Sequence, residues 1–216
     1  MRVIPILFQD ARFVVLDKPA GLPVHAGRAG GPSVEDVFPA LSRRKDGPWL
    51  AHRLDTDTAG CLVVALRKTA LLEAQALFAL GGAEKVYWAV VSGGPVGEAG
   101  TLDAPLRKRT IGRAWRMVVD TAGDAAVSDW RVLGRAAGTA WLEVRPRTGR
   151  THQVRAHCAA LGCPVLGDAI YGHGGGMLNL LARFIRLPLD PPVEATAPVP
   201  SHMANNLVAC GYAADP

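Results

Sequence analysis

The chain has few cysteines, few aromatic residues and no long hydrophobic run. Its four cysteines include no Cys-x-x-Cys pair, which excludes zinc-ribbon spacing and argues against a disulfide framework in 216 residues. No apolar stretch approaches the roughly 18 residues that a membrane-spanning helix needs. The apolar opening of the chain stops at Gln9, too early for a secretory signal. We therefore expect a protein of the reducing cytoplasm without a membrane span.

The overall composition is that of an ordinary globular protein. Hydrophobic residues make up 49% of the chain, and 24 Lys and Arg against 19 Asp and Glu give a formal net charge of +5. This mild excess favours a polyanionic partner without establishing one. No repeat and no linker of interdomain composition is present, so we predict one domain over residues 1–216.

Hydrophobic patterning places the main elements. Helical spacing predicts a helix over residues 69–80, and a second helix that Thr151 caps and Gly162 ends. The proline-rich tail from Pro188 onward is predicted to be extended. Stretches rich in β-forming residues predict strands at 12–16, 62–66, 85–91, 127–133 and 139–144.

The segment from His52 to Gly60 carries the strongest chemical signal. Asp55 and Asp57 lie beside a base and a guanidinium, directly before a strand predicted to be buried. A carboxylate in that setting can act as a nucleophile or a base on an anionic substrate. The residues alone leave the choice between Asp55 and Asp57 open.

Other chemistries have weaker support. His152 and His157 are five residues apart, not the four of a zinc-binding helix, and no useful glutamate follows them. Cys158 beside His157 is more typical of a small core residue than of a nucleophile. The chain has no Walker motif, dinucleotide-binding fingerprint or serine nucleophile elbow. We therefore expect no metal and no cofactor.

Two segments concentrate positive charge. Residues 107–116 interleave five cations with Trp115, and they can be interpreted either as a solvated hairpin loop or as a loop that contacts phosphates. Residues 145–157 hold four arginines and two histidines and lead into the second predicted helix.

Four motifs in order along the chain resemble those of the RluA-type family of RNA pseudouridine synthases. The matching stretches are 15–25, 52–60, 85–93 and 148–157, followed by the expected turn at 167–172. The resemblance implies an α+β fold, a single catalytic domain with a mixed, mostly antiparallel central sheet flanked by helices and loops. It also implies isomerisation of uridines in tRNA and/or 23S ribosomal RNA to pseudouridine, with a catalytic aspartate and without cofactor or metal.

The resemblance also assigns roles. Asp55 matches the catalytic carboxylate and Arg155 the arginine that pairs with it, whereas Asp57 is interpreted as a turn residue. Tyr87 matches the tyrosine that stacks on the target base and assists proton transfer.

The predicted substrate-binding residues are Arg53, Val154, His52 and Arg150. Arg53 matches an arginine that fills the space left by a flipped uridine, and Val154 would line the uracil pocket. His52 is also interpreted, with Lys18 and His152, as support for the catalytic loop.

Two features depart from the family pattern. Ala59 stands where the family usually has serine. Many relatives carry an appended amino-terminal RNA-binding domain, whereas here we expect none, with RNA as the partner of a monomer. The alternatives are an RNA-binding protein of the same fold without turnover and, less favoured, a carboxylate-dependent hydrolase of a small phosphorylated metabolite.

Overall fold

The structure, a computed structural model, describes residues 3–27, 30–44, 46–112 and 114–213. The chain forms two compact units. The first contains the residues up to Lys85 together with Leu181–Pro198, and the second contains Val86–Leu180 together with the residues from Val199 onward. The predicted one-domain organisation stays a prediction.

The helices and strands follow each other along the chain. The helices are α1 (Phe38–Leu41), preceded by a 3-10 helix over Val34–Val37, then α2 (Lys68–Ala79), α3 (Gln153–Ala160) and α4 (Ser201–Ala209). The strands are β1 (Ile6–Gln9), β2 (Phe13–Lys18), β3 (Trp49–Leu50), β4 (Ala59–Ala65), β5 (Glu84–Ser92), β6 (Ala99–Asp103), β7 (Leu106–Ile111), β8 (Ala114–Val119), β9 (Val127–Ala136), β10 (Thr139–Pro146), β11 (Leu180–Leu187) and β12 (Val193–Thr196).

The sheet of the first unit is built around β4. Its strand order is β1-β2-β4-β11, with β3 also paired to β4 and β12 to β11. The pairing of β4 with β11 is parallel and the other pairings are antiparallel. Every residue of β4 is buried, which explains why its sequence is a continuous apolar run and not an alternating one.

Gly60 lets three strands meet at the start of β4. It pairs with Lys18 of β2 on one side and with Ala182 of β11 on the other. Its φ is +108°, and a Cβ built there would collide with the backbone carbonyl of Ala182. Only glycine fits this position, because other residues rarely adopt that φ and would also need the occupied space.

The second unit has an antiparallel sheet in the order β5-β10-β9-β6. One face of this sheet packs against α3 and buries Ala89, Leu142 and Val144 against Val154 and Cys158. The pairings of the two units confirm the predicted α+β class with mixed, mostly antiparallel strands.

The basic segment 107–116 belongs to the β7–β8 hairpin. Leu106 and Met117 of this hairpin pack on Ala156 of α3. Arg113, one of the five cations of the segment, lies outside the described residues. The hairpin is confirmed, with Leu106 and Met117 of its inner side buried in a small core, and its contact with phosphates stays a prediction.

Two local predictions are wrong. The cap of α3 is His152, with φ +53°, and not Thr151. The tail is extended through β12, but it then forms α4, where Met203 and Leu207 are buried four residues apart. The run of prolines ends at Pro200, so nothing prevents a helix from starting at Ser201.

All four cysteines are buried free thiols. Within the described ranges, no helix is long and apolar enough to cross a membrane.

We predict that Gly60→Ala lowers the free energy of unfolding by roughly 3 kcal/mol, because it adds backbone strain and a clash with a strand that has little room to shift. Urea denaturation of the purified variant measures this. Gly27→Ala is the matched control, because Gly27 has an ordinary φ and open space around its Cα. Equal stabilities of the two variants would contradict the role given to Gly60.

Candidate active site

The predicted catalytic loop of the first unit is a tight turn that leads into β4. The backbone N–H of Thr58 donates to the carbonyl of Asp55 at 3.2 Å, so Thr56 and Asp57 occupy the centre of the turn. Asp55 is half-buried, whereas Arg53 and Asp57 are exposed. Asp55 therefore lies at the first corner of a turn that is anchored to a buried strand.

Hydrogen bonds from the buried side chain of Lys18 hold this turn in place. Its side chain is fully buried, and its Nζ donates to the carbonyls of Leu22 and Thr56 at 2.8 Å and of Pro19 at 3.0 Å. The amide of Gly21 donates to the same Thr56 carbonyl at 2.9 Å. One ammonium thus ties the turn after β2 to the turn before β4.

The charge of Lys18 also acts on the two candidate carboxylates. Burial lowers the pKa of Lys18 to about 8, while the negative charges of Asp57 and Asp55 oppose that shift. Lys18 therefore remains mostly cationic at pH 7, and its charge attracts both carboxylates. The sequence interpretation made Lys18 a support and missed this electrostatic role.

His52 supports β4 as a neutral imidazole. Its Nε2 accepts a hydrogen bond from the backbone N–H of Val63 at 3.0 Å, so the ring proton lies on Nδ1. The ring packs against Phe78 with centroids 4.8 Å apart. Burial lowers the pKa of His52 to about 4, and the charge of Lys85 adds to that effect. The predicted substrate contact of His52 stays a prediction.

Tyr87 and Val154 share one core of the second unit. Tyr87 is half-buried on β5, where it pairs with Val144 of β10, and it packs against the same apolar cluster that contains the buried Val154 of α3. The structure therefore brings together two residues that the sequence assigns to base stacking and to the uracil pocket.

Arg155 forms a buried ion pair with Asp168. Its Nε and Nη2 donate to the two carboxylate oxygens at 2.7 and 2.8 Å, and both side chains are at most 5% exposed. Burial alone would raise the pKa of Asp168, but the bonds and charge of Arg155, with the amides of Ile170 and Tyr171, lower it. The pair is therefore ionised at neutral pH.

Asp168 is a residue whose role the sequence interpretation missed. The sequence predicts only a turn at this position, whereas in the structure the carboxylate orients Arg155. The signal was available, since an aspartate at the start of a turn commonly accepts bonds from the amides that follow. The predicted pairing of Arg155 with Asp55 stays a prediction.

Arg150 lies on the exposed loop before α3. Its Nε donates to the carbonyl of Ala125 at 3.0 Å and its amide to Oε1 of Gln153 at 2.9 Å. These bonds hold the loop while the side chain remains exposed.

The β7–β8 hairpin presents cations on its outer side. Strand alternation places Arg107, Arg109 and Arg116 on one face, all exposed, and Asp120 pairs with the first two at 3.6 and 2.8 Å. The opposite face carries Trp115, which stacks on His152.

Within the residues that the structure describes, no group of three or more His, Cys, Asp and Glu side chains is arranged to hold a metal ion.

We predict that His52 makes stability depend on pH. Its folded pKa of about 4 lies below the unfolded value of 6.5, so unfolding takes up a proton in that interval and acid destabilises the fold. The free energy of unfolding should fall by up to about 3 kcal/mol as the pH decreases from 6.5 to 4. Urea denaturation at several pH values measures the slope.

The test uses His52→Gln, which keeps an acceptor for the Val63 amide but cannot titrate. This variant should lose part of the slope, the remainder coming from His157, whose pKa is also lowered by burial, and from carboxylates. The exposed Asn205 of α4 supplies the control Asn205→Gln, which removes no titrating group and should keep the slope of the parent protein. An unchanged slope in His52→Gln would refute the assignment.

Comparison with known proteins agrees with the fold and the motifs. Residues 12–160 match the family described as RNA pseudouridylate synthase. An RNA pseudouridine synthase of Zymomonas mobilis is 38% identical over 204 residues, which cover 90% of this chain and 93% of that protein.

A second relative, the ribosomal large subunit pseudouridine synthase D of Pseudomonas aeruginosa, is 37% identical over 171 residues, covering 77% of this chain and 53% of its own length. The solved structure of human RNA pseudouridylate synthase domain containing 4 has a TM-score of 0.80 at 29% identity and covers 95% of this chain and 92% of that chain. The family match and the identity over nearly the full length of one relative lead to one conclusion: the chain belongs to the RluA-type RNA pseudouridylate synthase family and is an isomerase that acts on RNA.

Proposed function

We propose that Asp55 is the catalytic carboxylate with which this enzyme converts uridine to pseudouridine. The proposal rests on one observation: the turn that carries Asp55 is hydrogen-bonded to the buried ammonium of Lys18. Such an anchor is needed because a nucleophile or base must be ionised and fixed in place. Asp57 also lies in the field of Lys18, but it is exposed at the centre of the turn.

The reaction exchanges one bond of the sugar for another. The bond between N1 of uracil and C1′ of ribose breaks, the base rotates, and a bond from C5 to C1′ forms. The proton on C5 is released and N1 gains a proton, so no cofactor is consumed. Asp55 either attacks C1′ or acts as the base at the neighbouring C2′, and both routes need its ionised form.

Tyr87 and Arg155 are proposed as the other catalytic residues. The ring of Tyr87 is half-buried against an apolar core, which suits stacking on a detached uracil, and its hydroxyl can assist proton transfer from C5. Arg155 is oriented by Asp168, so its guanidinium has little freedom to turn.

The remaining predicted residues are proposed to hold the substrate. Val154 lines the uracil pocket, and the exposed Arg53 takes the space of the flipped uridine. Arg150 and His52 complete the set, His52 by shaping the strand that follows the catalytic turn. The outer arginines of the β7–β8 hairpin are proposed to contact phosphates, which favours the second interpretation of that segment.

The proposed substrates are 23S ribosomal RNA and tRNA. The name of the Pseudomonas relative makes ribosomal RNA the first to test. The buried free thiols are compatible with the reducing cytoplasm as the proposed location, and the monomeric state stays a prediction.

We predict that Asp55→Asn abolishes turnover. Because the hydrogen on C5 of uridine is released, RNA labelled with tritium at that position reports the reaction as tritium in water. The initial rate should fall by roughly three orders of magnitude or more, since asparagine has the same shape but can neither attack nor accept a proton. Purified ribosomal RNA and tRNA assayed separately identify the substrate.

The matched control is Asp57→Asn, two residues further along the same turn. It should retain most of the rate, and both variants should bind RNA with a dissociation constant within a few-fold of the parent. Full activity of Asp55→Asn would refute the catalytic assignment. RNA binding by a parent protein that never releases tritium would favour the alternative of an RNA-binding protein without turnover.

We predict that Arg109→Gln and Arg116→Gln weaken RNA binding through the hairpin. Each lost phosphate contact should reduce the slope of log Kd against log salt concentration by about 0.7. Fluorescence anisotropy over a salt series measures the slope. Arg186→Gln is the control, because Arg186 is an exposed arginine of β11 that pairs with Glu194. Slopes equal to that of the parent in both hairpin variants would exclude the hairpin as a phosphate contact.

A further inference from the structure

Tyr171 contacts both the β7–β8 hairpin and Arg155. Its hydroxyl accepts a hydrogen bond from the backbone N–H of Met117 in β8 at 2.9 Å. The guanidinium carbon of Arg155 lies 5.4 Å from the centroid of its ring, within the range of a cation–π contact. One side chain therefore connects the hairpin backbone to the proposed catalytic arginine.

The backbone of Tyr171 is fixed by the carboxylate that binds Arg155. Oδ1 of Asp168 accepts the amides of Ile170 and Tyr171 at 2.9 and 3.0 Å and Nη2 of Arg155 at 2.8 Å. The turn that carries Tyr171 and the guanidinium of Arg155 thus share one acceptor. A shift of Tyr171 moves the group that orients Arg155.

His152 makes a second link between the hairpin and the start of α3. Its ring stacks on Trp115 with centroids 4.9 Å apart and planes 23° apart, and it meets the Tyr171 ring edge-on at 5.7 Å. Its Nδ1 is 3.1 Å from the Tyr171 hydroxyl. The left-handed backbone of His152, unusual for a residue with a side chain, keeps the ring between Trp115 and Tyr171.

The exposed arginines lie on the outer face of the same hairpin. On the other side, Met117 contacts Tyr171 and Trp115 contacts His152. Lys108 lies 4.5 Å from the Trp115 ring centroid and covers it. A force on the outer face therefore reaches α3 through the contacts of Tyr171 and His152.

We propose that Tyr171 is a positioning residue that couples the β7–β8 hairpin to Arg155, so that phosphate held on the hairpin sets the guanidinium for catalysis. This rests on the proposed function, because it takes Arg155 as catalytic and the outer arginines as RNA contacts. The hydroxyl of Tyr171 supplies the coupling, while its ring lies against Arg155.

The test is Tyr171→Phe, which removes the hydroxyl and keeps the ring. At saturating RNA the single-turnover rate of tritium release should fall about fivefold or more, because the hydroxyl loses its hydrogen bonds to the Met117 amide and to His152, with Kd for RNA within twofold of the parent. Hydrogen exchange at the Met117 amide should accelerate, since its acceptor is gone. A purely structural role would lower stability without this fall in rate at saturation.

Trp115 provides an independent variant. Trp115→Leu should lower the saturated rate in the same direction, and Trp115→Phe should restore most of it, because an aromatic ring can still stack on His152. The double variant of Trp115→Leu and Tyr171→Phe should be at most about twofold slower than the slower of the two single variants, since both substitutions act on one coupling.

Tyr212→Phe is the matched control. Tyr212 packs edge-on against Trp88 and Trp141, away from these contacts, so its variant should keep the parent rate and the parent exchange at Met117. A parent-like saturated rate in Tyr171→Phe, or an effect on Kd alone, overturns the proposal. Full activity of Asp55→Asn would instead refute the catalytic assignment, and the exchange measurement would still test the contact.

Discussion

The buried ammonium of Lys18 is the interaction on which the first unit depends. A cation in a protein interior is costly unless its donors are satisfied, and here three backbone carbonyls accept them. Two of these carbonyls belong to the turn after β2 and one to the turn of Asp55. The arrangement therefore fixes the loop through its main-chain carbonyls. It also places a positive charge close enough to interact with Asp55 and Asp57.

The second unit fixes α3 by a different means, a neutral polar network. Gln153 donates to the carbonyl of Val127 and to the hydroxyl of Ser128, at 2.9 and 3.0 Å. His157 must carry its proton on Nε2, which faces the Ala104 carbonyl at 3.1 Å, so its Nδ1 accepts from Ser128. Because each buried polar atom of this network has a partner, the network sets the position of α3 without a net charge.

Sequence patterns predicted strands β2, β4, β5, β9 and β10 and helices α2 and α3, but they missed the shorter strands, α4 and the long-range polar contacts. Strands such as β4 were visible because burial on both faces requires a continuous apolar run, and the resemblance identified the motifs of Asp55 and Arg155. The pattern of one segment cannot show that His152 adopts a left-handed backbone, since the rings that hold it come from elsewhere in the chain. The ion pair of Asp168 was missed for the same reason, because its partner Arg155 lies 13 residues away in the sequence. The helix α4 was missed because the prediction of an extended tail rests on prolines that end at Pro200. That prediction does not hold for the residues that follow.

The Arg155–Asp168 pair is better explained by orientation than by stability. Burying two charges costs several kcal/mol for each ion, and a well-packed apolar pair of similar volume is often as stable. What an apolar pair cannot do is hold a planar cation by two parallel bonds in one rotation. The carboxylate of Asp168 also accepts two backbone amides, so it moves only together with the segment that carries Tyr171. A fold that accepts this cost at the start of α3 holds the guanidinium of Arg155 in one orientation relative to the carboxylate of Asp168.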